Sequence, residues 1–147
     1  MQVVDAHYNK LRSCPQDLLG CINNLLVLNL SYNRLDSWPA GLHMPALVVL
    51  DLSFNKLQQL PEDMGQQLPA LQDLYMANNF LTGLPDSLSR LELRDMFVSE
   101  NDFQVVPKVS MGLSMCSRCA GSMHVCRGRM AASPAAKTWK ASGALTA

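Results

Sequence analysis

The chain has 147 residues, of which 48% are apolar, so it can bury the core of one ordinary domain. Its 12 basic and 12 acidic residues cancel in number but not in place: residues 1–107 hold all 12 acids and 6 bases, whereas residues 108–147 hold 6 bases and no acid. The net charges of −6 (6 − 12) and +6 (6 − 0) predict two segments of different character. No uncharged apolar run reaches the roughly 20 residues of a membrane span, and no secretory signal is visible at the start.

A frame of leucines and one asparagine recurs along the first segment. In chain order its copies begin at residues 1, 25, 47, 71 and 93, and the clearest copy, residues 47–57, reads LVVLDLSFNKL. Apolar residues alternate at the fourth and sixth positions of the frame, which predicts a short strand in each copy. The ninth position is an asparagine in all five copies: Asn9, Asn33, Asn55, Asn79 and Asn101. Their spacing of 22 or 24 residues predicts a solenoid, in which each coil covers the apolar face of the next.

The recurring asparagine has a structural explanation. A turn after each strand leaves backbone groups without partners in the sheet, and a side-chain amide offers both donors and an acceptor for them. We therefore interpret the five asparagines as a hydrogen-bonding ladder and not as a row of binding residues.

The segments between the copies share a second pattern, in which an apolar residue precedes a proline. The pairs are Cys14-Pro15, Trp38-Pro39, Leu60-Pro61, Leu84-Pro85 and Val106-Pro107. Proline suits the first turn of a helix because no amide donor is needed there. We therefore expect short helices or 3₁₀ turns near residues 15–21, 39–44, 61–67 and 85–90.

The frame LxxLxLxxNxL resembles that of the leucine-rich repeat family. The proline pattern is similar to that of its cytoplasmic LPxxL-type subclass, which includes the Ras-suppressor and Shoc2-like scaffolds. The resemblance covers residues 1–107 and implies an α/β solenoid, with parallel strands on the concave face and short helices or 3₁₀ turns on the convex face. It also implies a non-enzymatic intracellular scaffold or adaptor. A cytoplasmic location is expected, and a nuclear one stays open.

The frame fails after residue 107. We divide the chain into five repeats over 1–107, the first truncated at its start, and a basic tail over 108–147 rich in Ala, Ser, Gly and Met. Such a tail can bury little, so we expect it to be disordered. Its bases could also fold back onto the acidic repeats. Because neither end of the solenoid has a recognisable cap, self-association through uncapped ends is a further expectation.

The sequence contains no recognisable enzyme site. No nucleophile–base–acid set and no phosphate-binding loop occur, so we expect neither a cofactor nor a small-molecule substrate. The tail carries one candidate metal cluster, whose last interval is too short for a zinc knuckle: Cys116, Cys119, His124 and Cys126. The alternative is free thiols, which is the interpretation we adopt. The six tail bases are too dispersed to favour nucleic acid.

The concave face offers a better binding surface. In a repeat of this kind, positions three, five, seven and eight face the concave side. Aromatic residues at position eight and aspartate at position five are common in the family, but large aromatics at position five, here Tyr75 and Phe97, are not. The candidate partner-binding residues are Asp51, Asp73, Tyr75, Asp95, Phe97 and Glu100. Exposed aromatics beside carboxylates predict a protein partner with basic and apolar groups.

The predicted function is thus protein binding through the concave face. Two alternatives stay open at this point: a zinc- or nucleic-acid-linked role of the tail, and a truncated product with little independent function. Deleting residues 108–147 separates the first alternative from concave-face binding.

Overall fold

The computed structural model describes residues 2–103, 113–115 and 124–127, with side chains for the first of these ranges. Seven short strands form one sheet in the order β1-β2-β3-β4-β5-β7-β6. In chain order the strands are β1 Val3–Asp5, β2 Val27–Asn29, β3 Val49–Asp51, β4 Asp73–Tyr75, β5 Asp95–Phe97, β6 Leu113–Met115 and β7 His124–Arg127. Strands β1 to β5 are parallel and each occupies positions three to five of its repeat. The predicted solenoid is confirmed.

The core is a set of columns of equivalent apolar residues. The fourth-position residues are paired strand to strand, so that Leu28, Leu50, Leu74 and Met96 form one column, and each is at most 1% exposed. Neighbouring strands in a sheet lie about 4.8 Å apart, which brings equivalent side chains of successive coils into contact. A single coil could not cover these side chains, so the stability of each coil depends on its neighbours.

The asparagines make the hydrogen bonds of a ladder in the four complete coils. The Asn55 amide nitrogen donates to the carbonyl oxygens of Leu30, Leu52 and Ser53, over 3.0 to 3.3 Å, and its oxygen accepts from the amide of Leu35 at 3.0 Å. Asn33, Asn79 and Asn101 repeat this pattern. Asn9 is exposed, and within the described residues its amide nitrogen donates to the nearby carbonyls of Ala6 and His7.

The conformation of each convex segment depends on the length of its repeat. The two 24-residue intervals between asparagines contain the α-helices, α1 Gln16–Leu19 and α2 Met64–Gln67, and one 22-residue interval contains a 3₁₀ helix, Asp86–Arg90. The prediction of a helix near residues 39–44 is wrong. Gly41 adopts a φ of +78° in a turn there, which a right-handed helix does not accommodate. The shorter interval is consistent with this, because a turn spans the convex side with fewer residues than a helix.

One glycine is fixed by close packing between the convex segments. The Gly65 N–H donates to Ser87 Oγ at 3.0 Å, and a Cβ at this position would lie 2.1 Å from the Ser87 carbonyl oxygen. Only glycine allows α2 to approach the 3₁₀ helix this closely.

The far end of the sheet differs from the sequence prediction. Strand β7 runs antiparallel along β5, with Val125 opposite Met96, and β6 runs antiparallel along β7. The expectation of an unpaired strand edge at the last repeat is therefore wrong, because β7 from the basic tail pairs with β5 there. Strands β6 and β7 belong to residues 108–147, and the rest of this segment, for which we predict disorder, lies outside the described residues. Within the described part of the sheet, β1 is the strand at the other edge.

Candidate functional site on the concave face

The concave face changes in character between β3 and β4. Position three is valine in β1, β2 and β3, and aspartate in β4 and β5. Position five is polar in the first three strands and aromatic in the last two. Because the strands pair in register, Asp73 lies beside Asp95 and Tyr75 lies beside Phe97. Asp51 on β3 lies beside Tyr75 on its other side. We call these five residues the acidic–aromatic patch.

The two aromatic rings of the patch form a stacked pair. The ring centroids of Tyr75 and Phe97 are 5.2 Å apart and their planes differ by 24°, and both side chains are half-buried. Both rings are therefore partly packed against the protein and partly accessible to a partner. Glu100, the sixth candidate, is exposed three residues past the end of β5, at position eight. The structure thus brings five of the six candidates onto neighbouring strands and places Glu100 in the following turn.

The carboxylates create a negative environment around Tyr75. Burial raises the pKa of the Tyr75 phenol, and Asp73, Asp95 and Asp51 raise that pKa further because they oppose a second negative charge. The phenol therefore stays neutral to a higher pH than an ordinary tyrosine. Three carboxylates act on one hydroxyl group, so the patch attracts a cationic group.

Among the described residues, the cation Arg94 lies on the patch. The Arg94 guanidinium donates from Nη2 to Asp73 Oδ2 at 2.6 Å, and this hydrogen bond is the main reason that the pKa of Arg94 is raised. The Asp73 side chain is 10% exposed, whereas the Arg94 side chain is 60% exposed. The other carboxylate oxygen, Asp73 Oδ1, is buried and has no hydrogen-bond partner in the described part of the chain. Sequence reasoning missed Arg94; the signal was its place directly before the position-three aspartate of its own strand.

A second aromatic feature lies along the first three coils. Tyr8, Tyr32 and Phe54 occupy position eight and stack with ring centroids 4.1 and 4.2 Å apart and planes within 9°. We call these three residues the aromatic ladder. Their side chains are 68%, 38% and 41% exposed. Sequence analysis assigned these rings to the family pattern and did not predict that they form one continuous stack, although their shared frame position implied it.

Position eight has a distinct backbone. In all five coils it adopts a φ between +53° and +57°, in the left-handed region, with Asn78 and Glu100 following the three aromatic residues. A residue other than glycine is strained in this conformation. The aromatic ladder therefore rests on turns, whereas the ring pair of the acidic–aromatic patch rests on strands.

Two further features of the described repeats involve titratable groups away from the patch. An exposed pair joins His7 Nδ1 to Asp5 Oδ1 at 2.6 Å, and the bond to His7 lowers the pKa of Asp5. Two cysteines of the described region, Cys14 and Cys21, are free, and burial raises the pKa of the Cys14 thiol to about 12.

The metal candidates of the tail are not brought together within the described residues. Cys116 and Cys119 lie outside them, and His124 and Cys126 lie on β7, opposite Phe97 and Asp95 in register. The described residues contain no group of three His, Cys, Asp or Glu side chains that could hold a metal ion. In the same part of the chain, no helix has the length and apolarity to cross a membrane.

Comparison with known proteins identifies the solenoid. Residues 45–103 match the family model described as leucine rich repeat. The matched residues are leucine-rich repeats, and the fold of the chain is a leucine-rich-repeat solenoid. A leucine-rich repeat protein of Leptospira interrogans with a solved structure is 31% identical, with a TM-score of 0.65, over 69% of this chain and 26% of that one. Such repeats are typically protein-interaction modules.

The curated relatives are much longer proteins that share these repeats. Keratocan of Danio rerio is 30% identical over 118 residues, which cover 77% of this chain and 34% of keratocan. The protein flightless-1 homolog of Mus musculus is 37% identical over 74% of this chain and 11% of its own length. Osteomodulin of Rattus norvegicus is 35% identical over 60% of this chain and 21% of its own length. The chain thus spans about a third or less of each relative's length, and the leucine-rich repeats are what they share.

Proposed function

We propose that this leucine-rich repeat chain is a non-enzymatic scaffold or adaptor that binds a protein partner through the C-terminal half of its concave face. The observation that carries this proposal is the acidic–aromatic patch. Its two rings are stacked, half-buried and surrounded by carboxylates, and aromatic residues of this kind dominate the binding energy of protein interfaces. The partner presents apolar and basic groups, because these complement the rings and the carboxylates.

The location of the site supports binding over a purely structural role. The side chains of the patch project from strands whose core-facing residues already fill the interior, so the rings are not needed to close the core. Concave surfaces of solenoids are extended and preorganised, which lowers the entropic cost of association. We place the protein in the cytoplasm, by the resemblance of its proline pattern to that of cytoplasmic scaffolds, and we assign it to the same subclass.

The experiment is affinity capture from cell extract with the full chain and with the double variant Tyr75→Ala/Phe97→Ala. Captured proteins are quantified, and the strongest one is purified for a binding titration. We expect the double variant to weaken its binding by at least about thirtyfold, which corresponds to about 2 kcal/mol, the usual loss at an interface hot spot.

The chain provides a matched control. Tyr32→Ala/Phe54→Ala also removes a stacked tyrosine–phenylalanine pair from adjacent coils, but from the aromatic ladder. We expect this variant to bind as the unchanged chain does. Equal loss in both double variants, with both still folded by circular dichroism, would contradict a site on β4 and β5.

A further inference from the structure

The bond between Arg94 and Asp73 is incomplete. A guanidinium and a carboxylate can form two parallel hydrogen bonds, yet Arg94 makes one, to Oδ2, and leaves Oδ1 buried without a partner in the described part of the chain. A buried carboxylate oxygen without a hydrogen bond is costly. Asp73 therefore retains unused capacity to accept a hydrogen bond at the centre of the concave face.

Charged groups of both signs act on Tyr75. Asp51, Asp73 and Asp95 are close enough to Tyr75 that each raises the pKa of its phenol, and Arg94 is the cation that acts in the opposite direction. Arg94 is mostly exposed and Asp73 is not, so the guanidinium can move away while the carboxylate stays in place.

The neighbouring rings favour one kind of cation. Guanidinium is planar and weakly hydrated, so it can stack on an aromatic face and bond a carboxylate with two N–H groups at once. An ammonium group is compact and strongly hydrated and makes neither contact as well. A carboxylate with a free oxygen beside the half-exposed pair Tyr75 and Phe97 therefore fits arginine better than lysine.

We propose that the acidic–aromatic patch binds an arginine side chain of the protein partner, and that Arg94 is an internal occupant which this arginine displaces from Asp73. The inference rests on the proposed function and specifies the partner as one that presents arginine beside apolar residues. Displacement is inexpensive because the arriving guanidinium takes the place of the one that leaves, so the buried Asp73 stays paired. Before the partner binds, Arg94 thereby keeps Asp73 paired. This competition lowers the affinity of the patch for the partner's arginine.

The test is a residue-resolved NMR titration of the full chain with N-acetyl-arginine amide, and separately with N-acetyl-lysine amide. We expect saturable shifts of the backbone signals of Asp73, Tyr75 and Phe97 with the arginine probe, and weaker binding of the lysine probe. The variants Arg94→Gln and Arg94→Ala should bind the arginine probe about twofold to fivefold more tightly, since they remove the competing pair. A gain in affinity cannot result from misfolding.

Two further variants make the outcome specific. Arg90→Gln removes an exposed arginine from the end of the convex 3₁₀ helix and should leave the affinity unchanged. Asp73→Asn should abolish the shifts. Equal affinity for the two probes, or unchanged or weaker binding by both Arg94 variants, would overturn the inference.

The inference and the proposed function fail in different ways. If the captured partner no longer binds Tyr75→Ala/Phe97→Ala but the arginine probe does not act on the patch, concave-face binding stands and the arginine anchor is wrong. If the captured partner binds that double variant normally, the proposed function is wrong, whatever the probe does.

Discussion

The two halves of the concave face share a core but not a surface. Beneath β1 to β3 and beneath β4 and β5 the same column of apolar residues runs without interruption. Above it, the first half carries valines and the aromatic ladder, and the second half carries the acidic–aromatic patch. Each half presents stacked rings, but one stack stands on strained turns and the other on strands.

This difference shows which positions the repeat constrains. Positions four, six and nine must satisfy the core and the buried backbone, so they keep their residue type from coil to coil. Positions three and five face outward, so their chemistry can change within one coil at no cost to the core. The abrupt change between β3 and β4 is therefore where binding specificity is expected to lie.

The largest expected effect tests whether the shared core is equally strong under both halves. Leu50→Ala beneath the first half and Leu74→Ala beneath the second should each lower the free energy of unfolding by about 2–5 kcal/mol, because both leucines are fully buried and each would leave a cavity. Urea unfolding followed by circular dichroism measures this change. The control Lys56→Ala, at an exposed position, should cost less than about 0.5 kcal/mol. A loss below about 1 kcal/mol for Leu74→Ala alone would show that the second half is loosely packed.

A smaller effect distinguishes the two ring stacks by the backbone conformation of the residues that carry the rings. Phe54 has a φ of +57°, whereas Phe97 lies in β5. At position 54, glycine should be more stable than alanine by about 1 kcal/mol, since glycine relieves the left-handed strain. At position 97 the order should reverse by about 0.5–1 kcal/mol, since glycine weakens a strand or helix interior. Each Gly–Ala pair serves as its own control, because both variants remove the same ring. The same order at both positions would contradict the difference in backbone.

The smallest effect is expected at alkaline pH and is measured at Tyr75, in the second half. Because the pKa of Tyr75 is raised, the folded chain holds this proton more tightly than the unfolded chain does. The stabilisation is complete below the ordinary tyrosine pKa of 10.0 and is lost as the pH rises from that value through the raised one. Urea unfolding of the unchanged chain and of Tyr75→Phe should therefore diverge above about pH 10, with the unchanged chain losing more stability. Parallel curves would mean that neither burial nor the carboxylates raise the pKa of the Tyr75 phenol.

The sequence predicted the features that recur from coil to coil. The strands, the apolar columns and the convex helices at α1 and α2 all follow from periodicity, which reflects core packing. The helix expected near 39–44 failed because Gly41 adopts a positive φ, a local choice that the proline pattern does not reveal. The strand β7 was not predicted because an antiparallel pairing across the end of a solenoid belongs to no repeat.

The position of the candidate site on the sheet was predictable, but its internal geometry was not. Frame counting placed Asp73, Asp95, Tyr75 and Phe97 on the same face, and the register brings them together. The ion pair of Arg94 with Asp73 and the unpartnered oxygen Oδ1 depend on side-chain conformations that the frame does not specify.

The most direct test of concave-face binding is hydroxyl-radical footprinting of the full chain with and without its captured partner. We predict that oxidation of Tyr75 and Phe97 slows severalfold in the complex, whereas oxidation of Leu18, an exposed residue of the convex helix α1, does not change. Slowing at Leu18 with unchanged oxidation of both rings would contradict a binding site on the concave face.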